Sequence, residues 1–360
     1  MSGPLKWERC IVQRDADVEH FIRCFLTSSS RKVLLIAGGG FDPRAISVCE
    51  LLATHLKGKL RALFLREERP NPDASLREKA EGNLTKMLAL VSDSTVSPID
   101  IFATDNAVIG GREAVKVVAS SSRAGISDVI VDYSALSRGV TFPIIKFLLQ
   151  DDDTINLHVL VTDEPATDED IVPVAWEQAS NIHGFRSILG SMSDLRPARL
   201  WLPQLVRGQN IALDLIFRMI QPHDVCPIVP FPASDPRLAD GLIEGYATEM
   251  ESGWKVDPRN VVYAHEKSPL DLYREVIRID EARQIIFRDT GSQIVLSPIG
   301  SKLLSMGALL AALEKDFPII YVEAAGYSVD LAKLEKRREP GPLVHLWLKG
   351  EAYVQQKTGT

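Results

Sequence analysis

The chain of 360 residues is longer than one hydrophobic core usually supports, and its composition, 45% apolar and 25% charged, is that of an ordinary globular protein. Its net charge of −7 argues against duplex nucleic acid or an anionic membrane surface as a partner. Four scattered cysteines suggest neither a zinc cage nor a disulfide framework, and no segment resembles a signal peptide or a membrane span, which predicts a cytoplasmic protein.

Short runs of Val, Ile and Leu alternate with helical patterns along most of the chain, which is typical of βαβ units around a parallel sheet. In the first half, strands are predicted at 33–37, 60–65, 99–103, 128–131 and 157–162, with helices at 43–56, 76–91, 112–121 and 141–149. In the second half, strands are predicted at 199–202, 225–229, 261–263, 293–296 and 319–322, with helices at 211–220, 236–250, 270–279 and 302–313. This rhythm predicts an α/β protein with two Rossmann-like parallel-sheet layers.

Five regions follow from this pattern. They are a helical leader (1–30), a first Rossmann-like lobe (31–165), a Pro-punctuated connector without a strong strand (166–198), a second lobe (199–327) and a C-terminal helix with an edge strand (328–360). The two lobes share a local echo, because Ser137 and Arg138 stand 164 positions before Ser301 and Lys302, at the start of an apolar helix in each case. Either an internal duplication or the general likeness of strand-to-helix turns would explain it.

The first turn that could carry chemistry is "GGGFDPR", between the strand at 33–37 and the helix at 43–56. It contains Gly38, Gly39 and Gly40, which permit positive φ and close approach of a ligand to the backbone. Asp42 is placed as the helix cap, and Arg44 could reach an anion. The same Asp-Pro-Arg triplet recurs at 235–237 and 257–259, so part of this turn is a general helix-start signal.

The turn is also similar to the GGxFDP opening of nucleotidylyltransferases. That family continues into a histidine and an HxGH element, whereas this chain continues with Arg44 and has no histidine before His55. The adenylyl-transfer chemistry of that family is therefore not expected. A dinucleotide-binding GxGxxG motif is also incomplete, since Pro43 stands where its last glycine is required.

The second turn, "LSPIGSKLLSMG", is the stronger candidate for an anion site. Gly300 gives backbone freedom, the hydroxyls of Ser297 and Ser301 could donate, and Lys302 places a cation at a helix start, where a nearby anion would explain it. Alternatively, Lys302 is a solvated residue of the first helical turn. The segment is not a Walker A loop, because Val295 replaces the first glycine.

A third turn follows the strand at 128–131. Asp132 could bind a ribose hydroxyl, hold a metal or act as a general base, and equally it could cap its own turn. Ser134 and Arg138 follow as candidate ligand contacts. Glu266, beyond the strand at 261–263, is a second candidate base if the protein is an enzyme, although no metal-ligand spacing accompanies it. The sequence identifies neither a metal site nor a cofactor.

The segment from Gly300 to Tyr327, with Gly300-Ser301-Lys302 and "IIYVEAAGY", is similar to the Gly-Thr-Lys strand–helix element of CARF domains, which are Rossmann-like ligand sensors of prokaryotic CRISPR systems. Ser301 stands where that element has threonine. SAVED domains, which are related sensors, fuse two CARF-like units in one chain, and this layout resembles the one predicted here. Outside 300–327 the resemblance is one of architecture alone.

The resemblance implies a sensor of a nucleotide or cyclic oligonucleotide in prokaryotic antiviral defence, with phosphates neutralised by Arg44, Arg138 and Lys302 in a shared groove. Such a sensor would need a separate effector protein. A second hypothesis is a hydrolase or transferase that acts on a nucleotide or phosphorylated metabolite, with Asp132 or Glu266 as base and Lys302 stabilising developing charge. A third is a scaffold without a small ligand.

Overall fold

A computed structural model of the chain describes residues 5–151, 154–188, 197–336 and 341–353. By its internal contacts the chain divides into two units. The first unit comprises Arg9–Ile171 and Ser328–Thr360, and the second comprises Met1–Glu8 and Val172–Tyr327. The chain therefore leaves the first unit once and returns to it near the C-terminus.

The first unit alternates strands with helices. Its strands are β1 (Ile11–Arg14), β2 (Val33–Gly38), β3 (Leu60–Glu68), β4 (Ser94–Asp100), β5 (Asp128–Asp132), β6 (Asn156–Thr162) and β14 (Leu343–Lys349). Its helices are α1 (Ala16–Phe21), which continues as a π-helical turn (Ile22–Leu26), α2 (Arg44–His55), α3 (Ala74–Leu90), α4 (Gly110–Ser120), α5 (Arg138–Gln150), α6 (Pro165–Asp170) and α11 (Leu331–Lys336).

These strands form one seven-stranded sheet in the order β1-β14-β6-β5-β2-β3-β4. The five strands from β6 to β4 are parallel, and β14 and β1 are added antiparallel. Numbered by their position along the chain, the parallel strands have the order 3-2-1-4-5 of a Rossmann-like sheet. Strands β2, β5 and β6 are buried along their whole length, as expected of central parallel strands covered by helices on both faces.

The second unit repeats this alternation. Its strands are β7 (Ile171–Asn181), β8 (Ala198–Pro203), β9 (Asp224–Val225), β10 (Ile228–Pro230), β11 (Val262–Ala264), β12 (Ser292–Ser297) and β13 (Ile320–Val329). Its helices are α7 (Asn210–Ile220), α8 (Leu238–Gly245), α9 (Pro269–Ile286) and α10 (Lys302–Lys315). A π-helical turn (Glu249–Gly253) and a 3-10 turn (Pro258–Asn260) complete the regular structure that is described in this unit.

The strand order of the second unit is that of the first. Strand β8 pairs in parallel with β12 on one side and with β9 on the other, and β10 pairs in parallel with β11. Single parallel bridges join β10 to Gln204, directly after β8, and β12 to Ile319, directly before β13. The order is again 3-2-1-4-5, with β9 and β10 sharing the second position. Two Rossmann-like parallel layers are thus confirmed, and their common order is what an internal duplication would produce.

Four elements differ from the sequence predictions. Strand β4 lies at 94–100 instead of 99–103; it is an edge strand with a mostly half-exposed, polar sequence that hides it from a search for apolar runs. The region 166–198, predicted to lack a strand, contains β7, and the predicted leader contains β1. Strand β14 is not at the edge of its sheet, because it pairs with β6 and β1.

Two further differences lie in the second unit. The strand predicted at 225–229 is split into β9 and β10, because Pro227 has no N–H to donate. The helix predicted at 236–250 ends at Gly245.

Parts of the predicted connector (189–196) and C-terminal helix (337–339) lie outside the described residues. Within the described ranges, every helix is too short or too polar to cross a bilayer.

Candidate functional site

The first unit brings two of the predicted turns to one edge of its sheet. Strands β2 and β5 are neighbours and parallel, so the turn at 38–43 and the turn at 133–137 both lie at the carboxyl edge. This is the point where the strand order reverses, which is where ligands bind in open α/β sheets. The turns are in contact, because a Cβ atom on Gly38 would lie 3.2 Å from Leu136 Cδ2. Leu136 is buried and fills the crevice.

The three glycines of the first turn serve close packing more than unusual backbone geometry. None of them has a φ in the left-handed region, so the positive φ that glycine permits is not used in this turn. A Cβ atom on Gly39 would lie 3.1 Å from Leu84 Cδ1, whereas one on Gly40 would meet no described atom within 4 Å. Only Gly40 therefore has room beside it for another group.

Arg44 is buried beside Asp42 in the same turn, with 4% of its side-chain surface exposed. Its backbone N–H and its Nε donate to Asp42 Oδ1 at 2.9 and 3.0 Å, and its Nη2 donates to Asp42 Oδ2 at 2.7 Å. The remaining Nη1 donates to Oδ1 of Asp168, on α6, at 2.7 Å. Burial lowers the pKa of Arg44, but the two carboxylates outweigh burial and raise it, so the guanidinium stays charged.

The Asp-Pro-Arg triplet at 257–259 shows which of these bonds belong to the motif itself. There, the backbone N–H and Nε of Arg259 donate to Asp257 Oδ1 at 2.9 and 3.0 Å, and Nη2 donates to Oδ2 at 2.6 Å. The geometry equals that of Asp42 and Arg44, yet 88% of the Arg259 side chain is exposed. What distinguishes Arg44 is its burial and the carboxylate of Asp168.

The third predicted turn, after β5, is held by its own polar groups. Asp132 is fully buried and accepts a hydrogen bond from the backbone N–H of Ser134 at 2.9 Å. The Ser134 hydroxyl accepts from the N–H of Thr162 at 2.8 Å, which ties the turn to β6. Arg138 is the first residue of α5, and the N–H of the preceding Ser137 donates to Glu67 Oε1 at 2.7 Å. A carboxylate of the protein therefore lies at this helix start.

In the second unit, the turn at 298–301 is closed by Gln204, which follows β8 and is buried. The N–H of Gly300 donates to Gln204 Oε1 at 3.0 Å, and Gln204 Nε2 donates to the carbonyl of Leu304 at 3.0 Å. Ser297 Oγ accepts from Trp201 Nε1 at 2.9 Å, and Ser301 Oγ accepts from the N–H of Leu304 at 3.2 Å. Both hydroxyls thus have structural partners.

Lys302 and Glu266 also belong to the second unit. Lys302 is half-buried and is the first residue of α10. Glu266 is buried, and its Oε2 accepts from the N–H of Ser234 at 2.7 Å, so this carboxylate holds the loop after β10. Neither Asp132 nor Glu266 is placed as an exposed general base. The described residues include no group of three or more His, Cys, Asp or Glu side chains that could hold a metal ion.

The two units fill the crevice between their first and fourth parallel strands in opposite ways. In the first unit, Leu136 from the turn after the fourth strand lies on Gly38 at the end of the first strand. In the second unit, Gln204 from the end of the first strand lies under Gly300 in the turn after the fourth. Leu136 stands 164 positions before Gly300, so a large residue in the first unit and a glycine in the second stand at the same offset as Ser137 and Ser301. The sequence analysis did not single out Leu136 or Gln204, because neither is a polar or charged residue of the predicted turns that would mark a ligand site.

Replacing Gly300 by alanine is expected to lower the free energy of unfolding by about 1–3 kcal/mol. The new Cβ atom would lie 2.7 Å from Gln204 Oε1 and 3.2 Å from its Cβ, so Gln204 must move and weaken its two hydrogen bonds. Gly40→Ala is the matched control, because its Cβ would meet open space. Urea unfolding curves of both variants test this; equal midpoints would show that Gln204 does not occupy the turn.

Comparisons with known proteins give no family. No protein-family model matches the chain, and no curated protein matches it. Among solved structures, one described as the METTL16 MTase domain, crystal form 2, is similar with a TM-score of 0.24 and 14% sequence identity, over 45% of this chain and 61% of that one. The chain thus spans less than two thirds of the length of that domain.

Proposed function

We propose that the chain is a binding protein for a nucleotide or another phosphate-bearing small ligand, and that the turn after β2 in the first unit holds a phosphate. The observation that carries the proposal is the buried, permanently charged guanidinium of Arg44 at the carboxyl edge of a Rossmann-like sheet. Its Nε and Nη2 are fixed by Asp42, so Nη1 is oriented for a second anion. Guanidinium groups held in this way suit phosphate oxygens.

A binding role is better supported than catalysis. The enzyme hypothesis requires Asp132 or Glu266 as a base, and each of these carboxylates is buried and accepts a backbone N–H of its own loop. Within the binding role, a sensor of a cyclic oligonucleotide in antiviral defence, of the CARF and SAVED kind, is supported by the repeated strand order and by Arg138 and Lys302 at equivalent helix starts. Such a sensor acts through a separate effector protein.

Calorimetric titration of the whole chain tests the proposal, with inorganic phosphate, adenosine diphosphate and cyclic dinucleotides as probes. The wild-type chain is expected to bind at least one of them. Arg44→Lys keeps the charge but loses the planar fork, so its affinity should fall about tenfold. Arg259→Lys makes the same change in the exposed triplet and should bind like the wild type. No heat of binding with any probe, or equal affinity of the Arg44→Lys variant, would contradict the proposal.

A further inference from the structure

We propose that Asp168 is an internal anion that closes the Arg44 site, and that a phosphate group binds by displacing the Asp168 carboxylate from Arg44 Nη1. This inference rests on the proposed function and adds its regulation. It starts from the comparison of the two Asp-Pro-Arg turns. The bonds from Nε and Nη2 to the aspartate of the triplet are common to both, so they belong to the motif. The bond from Nη1 to Asp168 is an addition.

The positions of the two carboxylates show which one a ligand would replace. Asp42 lies two residues before Arg44 in the chain and only 10% of its side chain is exposed, whereas 34% of the Asp168 side chain is exposed. Asp168 therefore lies on the solvent side of a guanidinium that is itself buried. A group that approaches Arg44 from water must pass or replace Asp168.

The Asp168 carboxylate carries one negative charge and is therefore a weaker partner for Arg44 than a phosphate group. One carboxylate oxygen contacts one guanidinium nitrogen here, whereas a phosphate brings up to two negative charges and several oxygens. A carboxylate on the same chain nevertheless competes at an effective concentration of about millimolar. The Asp168 contact should therefore lower the affinity for phosphate ligands without preventing binding.

The location of Asp168 gives its displacement a consequence. Asp168 is in α6, a helix of six residues that ends at Asp170. The chain passes from the first unit to the second between Ile171 and Val172, directly after this helix. Displacement of Asp168 releases the helix from α2 next to this crossing point. Ligand binding would thus alter the hydrogen bonding of the chain segment that connects the two units.

The test compares adenosine diphosphate and inorganic phosphate binding to the whole wild-type chain and to two variants. Asp168→Asn removes the competing charge with little change of shape, and we expect its affinity to rise about tenfold. Glu169→Gln is the matched control, because it removes the same charge from the next residue of α6, which is exposed. Its affinity should equal that of the wild type. Amide hydrogen exchange at 165–170 should quicken when phosphate is added to the wild type, and should already be fast in Asp168→Asn.

The outcomes separate this inference from the function on which it rests. If the wild type and Asp168→Asn bind with equal affinity, or if Asp168→Asn binds more weakly, displacement is wrong and phosphate binding stands. If Glu169→Gln gains as much as Asp168→Asn, the effect is one of net charge and displacement is wrong. If neither the wild type nor Asp168→Asn binds either probe, the phosphate site at Arg44 is wrong as well. Asp168→Ser repeats the measurement if the Asn variant fails to fold.

Discussion

Arg44→Gln is expected to lower the free energy of unfolding by about 3–5 kcal/mol, because it leaves buried carboxylate charge without its cation. Asp42 and Asp168 both bond to this guanidinium, and Asp42 is itself buried. Glutamine retains a donor but no charge, so mutual repulsion of the two carboxylates remains uncompensated. Urea unfolding of the whole chain at pH 7.5 measures the loss as a lower midpoint of the transition.

Two further variants show whether the ion pairs cause this loss. Arg259→Gln makes the same change in the same motif, with the same internal bonds, at an exposed position, and should leave the midpoint where it is in the wild type. Adding Asp168→Asn to Arg44→Gln removes one uncompensated charge and should recover part of the stability. A double variant less stable than Arg44→Gln alone would show that Asp168 stabilises the fold by another route.

Stability is expected to fall as the pH falls below 6.5, because two buried histidines stay neutral in the folded chain. His158 Nδ1 and His345 Nε2 are 2.9 Å apart in the core of the first unit, and both rings are fully buried. Burial lowers the pKa of His158 from 6.5, although Asp128 opposes the shift. Burial is the main cause that lowers the pKa of His345 well below 6.5, and the neighbouring His158 lowers it further.

The direction of this change in the free energy of unfolding follows from proton uptake by the unfolded chain. Below pH 6.5 the unfolded chain binds protons on these histidines that the folded chain does not, so the free energy of unfolding decreases toward acid. Each histidine contributes at most about 1.4 kcal/mol per pH unit between its unfolded and folded pKa values, and the full stability is present well above pH 6.5. Urea unfolding at pH 7.5, 6.5 and 5.5 measures the slope.

The polar groups around His158 and His345 determine which variant serves as the control for the pH dependence. Asp128 accepts from His158 Nε2 at 3.3 Å and also from Arg31, and Gln13 Oε1 lies 2.8 Å from His345 Nδ1. Burial raises the pKa of Asp128, but its hydrogen bonds to His158 and Ser127 outweigh this and lower it, so the contribution of Asp128 is lost only below pH 3.8. Replacing both histidines by glutamine should therefore flatten the slope between pH 6.5 and 5.5. An unchanged slope would assign it to other groups.

The sequence predicted most of the fold because its signals are local. Strand β2 is an unbroken apolar run, and α2 begins after an Asp-Pro pair, so both could be found within a few residues. The strand predicted at 99–103 begins about five residues after the start of β4, because a half-exposed edge strand has no unbroken apolar run to mark it. The strand order 3-2-1-4-5 could not be predicted, because it depends on pairing between strands that are far apart in the sequence.

The sequence named the turns of the candidate site but not the contacts within them. The turns after β2 and β5 were named as separate candidates from their residue types, and the structure places them in contact through Gly38 and Leu136. Sequence reasoning gave Arg44 an external anion and did not identify Asp168, because the two residues are 124 positions apart. Their contact depends on how α6 packs against α2, which is set by tertiary structure and not by the turn itself.

The opposite arrangement of a large residue and a glycine in the two crevices limits how the turns can be recombined. A chimera that carried the β12–α10 turn into the first unit would set Gly300 opposite Gly38 and leave a hole where Leu136 had been. The opposite graft would set Leu136 against Gln204 and crowd the core. The two sides of each crevice therefore match each other, and we expect a transplanted turn to pack well only when both turns of a unit move together.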